Sequence, residues 1–133
     1  MRVVLDSNVY ISALLVGRGC EEILGLARAG VVEVLSSDQI LGEVETVLKR
    51  KFHWNSGDIR LLSEELRDLC TMVPVDAGGV DFPPDPADAK ILACAVTGKS
   101  DVIVTGDKKH LLPLKRYRGI PIVSPAEFLE QFG

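Results

Sequence analysis

Val3-Val4-Leu5 is a continuous apolar run that stops at Asp6. A strand with one face in water alternates polar and apolar residues. A run that is apolar at every position must be covered on both faces, the condition of a strand inside a helix-covered parallel sheet. The same unbroken pattern recurs at Val102–Val104 and Ile120–Val123, while Val31–Leu35 alternates around Glu33 and Thr71–Val75 supplies a further strand. Parallel neighbours need crossover connections, and the intervening segments carry helical spacing. Asn8–Val16 reads as a helix broken by Gly17-Arg18-Gly19, and Ile23, Leu24 and Ala27 form the apolar face of a second that stops at Gly30. Ile40, Val44, Val47 and Leu48 mark a third helix, opened by a capping box of Ser36 with Gln39. Ile59, Leu62, Leu66 and Leu69 mark a fourth, capped by Ser56. Asp85-Pro86-Ala87-Asp88 opens a fifth, and Ser124-Pro125-Ala126-Glu127 the last. The expected fold is α/β: a three-layer α/β/α sandwich with a central, mainly parallel five-stranded sheet.

The 133 residues match one domain spanning 1–133, large enough to bury a core without staples. At 47% hydrophobic residues the chain is too apolar for intrinsic disorder. No apolar stretch approaches a membrane span or a signal-peptide core, so a cytoplasmic location with no membrane partner is expected. Cys20, Cys70 and Cys94 are widely spaced and form neither a disulfide framework nor a thiolate zinc site. With only His53 and His110, a histidine-rich metal site is excluded, and His110 reads as a surface or packing residue. Trp54 and Tyr117 read as packing residues rather than base-stacking platforms.

In open parallel sheets ligands bind beyond the carboxyl ends of the strands. The residues leaving those ends are acidic. Asp6 ends the first strand, Asp107 follows the fourth, and Asp88 lies in the first turn of the helix before it. Glu43 sits on or beside the apolar face of its helix. Each acid also has an ordinary structural use: Asp85 and Asp88 complement a helix dipole, Asp107 caps a short helix beginning at Lys108, and Glu43 sits mid-helix at the edge of the apolar face with its stem packed and its carboxylate in water. Asp6 is the hardest to account for in that way, because a buried carboxylate among like charges needs a cation or hydrogen bonds to stay ionised. If the four converge, their oxygen-only donor set selects a hard cation such as Mg²⁺ or Mn²⁺, suited to phosphoryl chemistry.

The formal charge of −4 hides an uneven distribution. Lys108, Lys109, Lys115, Arg116 and Arg118 fall within residues 108–118 with no acid among them, leaving −9 on the rest of the chain. A basic strip beside the Asp107 corner points to an anionic ligand, a phosphodiester or phosphate ester, unless it is simply a solvated loop.

Asp6-Ser7-Asn8-Val9-Tyr10-Ile11-Ser12-Ala13-Leu14, Ile40-Leu41-Gly42-Glu43-Val44 with Val47-Leu48-Lys49-Arg50, Asp85-Pro86-Ala87-Asp88-Ala89-Lys90-Ile91-Leu92, and Ile103-Val104-Thr105-Gly106-Asp107-Lys108-Lys109-His110-Leu111 resemble the successive motifs of PIN domains. The likeness is to the VapC-like branch, toxins of toxin–antitoxin systems, and extends through Ile122–Leu129. It implies that Asp6, Glu43, Asp88 and Asp107 match the family's catalytic, metal-holding quartet. That quartet would hold Mg²⁺ or Mn²⁺ for endoribonucleolytic hydrolysis of single-stranded RNA. Ser7, Asn8, Asp85 and Thr105 would support it, while Lys108, Lys109, Lys115, Arg116 and Arg118, together with Lys90, would meet the phosphates. A small antitoxin protein and a homodimer are the implied partners.

Other readings remain open on sequence alone. A haloacid-dehalogenase-type phosphatase also has an aspartate after its first strand, but wants a second acid where Asn8 stands. A receiver-type switch domain needs paired acids at its first strand and a lysine after its fifth, where this chain has Ser124. A catalytically silent PIN-like binding module would keep the fold without the chemistry.

Overall fold

The computed structural model describes residues 1–17, 19–75 and 86–132. The elements in order are β1 (Arg2–Leu5), α1 (Ser7–Leu15), α2 (Cys20–Arg28), β2 (Glu33–Ser36), α3 (Asp38–Phe52), α4 (Ser56–Leu69), β3 (Thr71–Met72), α5 (Pro86–Thr97), β4 (Val102–Val104), β5 (Arg116–Tyr117), β6 (Ile120–Val123) and α6 (Pro125–Phe132). A 3-10 turn at Leu112–Leu114 precedes β5.

The strands form one sheet in the order β3-β2-β1-β4-β6-β5. Every pairing is parallel except the β5–β6 hairpin at the edge. Helices flank the sheet: α5 packs on β1 and β2, α1 on α2 and α3, α3 on α4 and α5, and α2 on α6. β1 sits between neighbours on both sides, and Val3, Val4 and Leu5 are fully buried. Burial of each such side chain contributes about 1.5–3 kcal/mol, enough to hold the acid that follows them in a place it would not choose alone.

The chain leaves β1 toward β2 and β3 and returns to pair β4 on β1's other flank. That reversal makes the carboxyl ends of β1 and β4 the switch point of the sheet, where a crevice opens. Asp6 donates its backbone N–H to Val104 O at 2.9 Å, so the two strand exits stay side by side.

The sheet has six strands rather than five. The additional one, β5, lies inside the basic strip and has no apolar pattern to announce it. Arg118 and Gly119, with φ of 49° and 81°, form the two-residue turn that folds it onto β6. β2 begins at Glu33 rather than Val31, because the N–H groups of Val31 and Val32 bond back to Leu26 O at the end of α2. β3 is only two residues long: Val73 N still bonds Ser36 O, but Pro74 has no N–H to continue the ladder. Ser37, not Ser36, caps α3 by accepting from Ile40 N, and Asn55, not Ser56, caps α4. The final capping box is as expected, with Ser124 and Glu127 exchanging bonds at 3.2 Å.

All three cysteines are buried and free. Burial, with Cys70 nearby, pushes the Cys94 thiol from 9.0 up to about 12. Native protein should therefore resist iodoacetamide at Cys94 at pH 8.5, labelling at least ~100-fold more slowly than unfolded chain. Between pH 9.0 and about 12 the unfolded thiol ionises first, so this group lowers stability as pH rises. Rapid native labelling at Cys94 would contradict the packing around α5.

Candidate metal centre

Asp6, Glu43, Asp88 and Asp107 all line one pocket of about 490 Å³ at the switch point. Asp6 leaves β1 at the N-cap position of α1 and is only 8% exposed. Its Oδ2 accepts from the Thr105 hydroxyl at 2.7 Å and from Asn8 Nδ2 at 3.3 Å, and its Oδ1 accepts from Ser7 Oγ at 3.3 Å. Asn8 Oδ1 in turn accepts from Gly106 N at 3.0 Å, tying the exit of β1 to that of β4. Thr105, fully buried, also accepts from Asp107 N at 3.0 Å, so one hydroxyl links two of the acids.

Asp88, in the first turn of α5, is 6% exposed. Asp107 Oδ1 accepts from the backbone N–H groups of Lys109 and His110, the cap geometry expected for the turn it opens. Glu43 faces the pocket from α3 and is ion-paired with Lys90 of α5. Asp85 lies outside the described residues.

The electrostatics divide these acids. Desolvation pushes the Asp6 carboxyl above its usual range, and the Glu43 charge pushes the same way, while the Thr105 and Ser7 bonds only partly compensate. Desolvation also acts on Asp107, but the N–H groups of His110 and Lys109 outweigh it and hold that carboxyl below its usual range. Oxygens from Asp88 and Asp107 and a ring nitrogen of His110 lie within 4.8 Å of one another. A desolvated carboxylate beside converging donors fits a divalent cation: hard oxygen ligands dominate, and a bound cation would relieve the burial of Asp6.

Several pocket residues were not singled out by their sequence context. Lys51 and Phe52 line the wall. The four-residue spacing of Glu43, Val47 and Lys51 on one face of α3 is the signal that would have found the lysine. His110 is exposed, as expected, and its ring also lies beside two of the acids. The basic strip does not act as one unit. Lys108 and Lys109 leave the Asp107 corner, whereas Arg116 pairs with Pro121 and Tyr117 with Ile120, at the amino-terminal end of β6. Arg118 thus lies in a turn at the end of the sheet away from the acids, over the Tyr117 ring at 5.4 Å. Lys115 sits opposite Ile122, between these two groups. Trp54 and Tyr117 pack against the core.

A sequence model of the PIN domain matches residues 2–109. The chain belongs to the PIN domain family. Comparison with curated proteins gives no match. Among solved structures, this PIN domain is similar to VapBC2 from Rickettsia felis bound to a promoter DNA fragment, at 14% identity and TM-score 0.65, covering 93% of this chain and 98% of that one. It is similar to Mycobacterium tuberculosis VapC20, a sarcin–ricin loop cleaving toxin, at 14% identity and TM-score 0.60, covering 90% and 98%. It is also similar to PAE2754 from Pyrobaculum aerophilum, at 15% identity and TM-score 0.57, covering 99% and 98%. At these identities the likeness is one of fold. Among the described residues of this PIN domain, no helix is long and apolar enough to cross a membrane.

The raised Asp6 carboxyl makes a prediction about the metal-free protein. From the ordinary carboxylate range up to its raised folded value, the native state holds the proton more tightly, so this group lowers stability as pH rises. Asp6→Asn removes that charge; its amide can turn oxygen toward Thr105 and nitrogen toward Ser7. Without divalent ions at pH 7 the variant should melt roughly 3 °C higher than wild type, with a flatter pH profile from 4 to 7. A variant that melts lower, with the pH profile unchanged, would show Asp6 to be a net stabiliser.

Proposed function

We propose that this PIN domain is a divalent-metal-dependent endoribonuclease acting on single-stranded RNA, and the cytosolic toxin of a toxin–antitoxin pair. The observation that carries the reading is the meeting of Asp6, Glu43, Asp88 and Asp107 in one pocket at the sheet's switch point. Two structural neighbours support it: one is described as a toxin that cleaves the sarcin–ricin loop, another as VapBC2. The small antitoxin and the homodimer belong to the same proposal.

Asp6, Asp88 and Asp107, with Glu43 at the margin, would hold Mg²⁺ or Mn²⁺. When bound, the ion supplies charge neutralisation for the phosphodiester and activation of water. The chain's own residues do the positioning. Thr105, Ser7 and Asn8 lock the Asp6 carboxylate in one orientation, so nothing reorganises when charge develops. Lys51 offers a positive wall to a phosphate entering the pocket, and Lys108 and Lys109 lie beside the Asp107 corner to meet the adjoining backbone. In hydrolysis, water oxygen bonds to phosphorus, the bond to the departing ribose oxygen breaks, and that oxygen takes up a proton.

Purified protein should cut an unstructured RNA in Mn²⁺ or Mg²⁺ and not in EDTA. Asp88→Asn should lower the rate at least ~100-fold while circular dichroism stays unchanged. Folded, metal-loaded wild type that leaves a broad set of RNAs intact would favour the silent binding module instead.

A further inference from the structure

His110 is the imidazole that the fold brings against the pocket acids. It follows Asp107 by three residues, and its Nδ1 lies 3.6 Å from Asp107 Oδ2. One of its ring nitrogens, one Asp88 oxygen and one Asp107 oxygen all fall within 4.8 Å of each other. The placement is built into the turn. Lys109 N and His110 N both donate to Asp107 Oδ1, Leu112 N donates to the Asp107 carbonyl at 3.0 Å, and Leu111 beside the histidine is fully buried. The turn therefore holds the His110 backbone beside the carboxylate and keeps the half-exposed ring within reach of it. Oδ1 is occupied by those backbone donors, and Oδ2 is the oxygen that faces the imidazole. On the other side of the pocket Glu43 is engaged by Lys90, which shifts the available donors toward the Asp107 corner.

We infer that His110 is a nitrogen ligand of the divalent cation in this pocket, joining Asp88 and Asp107, and that it biases the site toward Mn²⁺ over Mg²⁺. The inference rests on the metal-dependent reading above and adds to it a ligand and a metal preference. Mg²⁺ is a small, strongly hydrated ion that takes carboxylate and water oxygens. Imidazole nitrogen favours transition ions, and affinity for a mixed nitrogen–oxygen site climbs from Mn²⁺ through Co²⁺. A site that replaces one oxygen donor with His110 gives up Mg²⁺ selectivity. The competing arrangement is a protonated His110 that merely pairs with Asp107 and repels a cation.

Calorimetric titration with Mn²⁺ and Mg²⁺, combined with pulsed electron paramagnetic resonance of the Mn²⁺ complex, separates these arrangements. Wild type should show the ¹⁴N coupling of a directly bound imidazole. His110→Asn should lose that coupling and weaken Mn²⁺ at least about tenfold while changing Mg²⁺ less than about threefold. The ring is half exposed and the turn is held by backbone groups, so the variant's melting temperature should match wild type and report intact folding. Mn²⁺ binding that requires Asp88 but shows no nitrogen coupling would overturn the inference and leave the metal-centre reading standing. An unchanged Mn²⁺/Mg²⁺ ratio in His110→Asn would also overturn it. Mn²⁺ that fails to bind, or binds Asp88→Asn equally well, would bring down the metal-centre reading and this inference together.

Discussion

The hydroxyl of Thr105 donates to Asp6 at 2.7 Å across the ends of two adjacent parallel strands, and the site depends on that bond. Burying a carboxylate at the end of a central strand costs several kcal/mol unless polar groups surround it. Thr105, Ser7 and Asn8 supply those groups, and two of them are themselves anchored in backbone: Thr105 by its N–H to Val123 O, Asn8 by the amide of Gly106. The same hydroxyl accepts from Asp107 N, so Asp6 and Asp107 cannot move independently. The β1–β4 pairing fixes their approach, and the apolar runs before them make that pairing rigid.

Hydrogen bonds alone leave the charge incompletely balanced. Asp6 stays above its usual range, while Asp107, more exposed and met by two backbone N–H groups, falls below it. Two carboxylates in one pocket are thus pushed in opposite directions by burial and by donors, a pattern that marks sites built for a ligand rather than for stability. Lys90 on Glu43 and Lys51 on the wall bring positive charge to the helical side. The remaining strain in the metal-free protein falls on the strand side, at Asp6, where a divalent cation would relieve it.

The parallel sheet, its helical crossovers and the acids were legible because each leaves a local mark: unbroken apolar runs, helical spacing, an acid at a strand exit for Asp6 and Asp107, one in a helix's first turn for Asp88 and one beside a helix's apolar face for Glu43. Features without such a mark were not. The β5 hairpin rests on Arg118 taking a left-handed conformation before Gly119, which an Arg-Gly pair inside a basic run does not advertise. The capping serine of α3 shifted by one residue because Ser36 completes β2 and is fully buried there. His110 looked peripheral because a histidine three residues after Asp107 is an ordinary turn neighbour, and Asp88, the second acid near it, lies more than twenty residues earlier and meets it only through the fold. The strip from Lys108 to Arg118 read as one patch because linear charge density ignores that the chain reverses along the sheet edge, sending Arg116 and Arg118 away from the acids.

The proposed chemistry turns on whether the carboxylates at the β1–β4 switch point form a cation site. Crystals grown with Mn²⁺ and measured at a wavelength where manganese scatters anomalously test it most directly. An anomalous peak is expected inside the pocket, within coordination distance of Asp88 and Asp107 and on the Asp6 side of the cleft. A pocket without a peak while Mn²⁺ decorates exposed surface acids would contradict it.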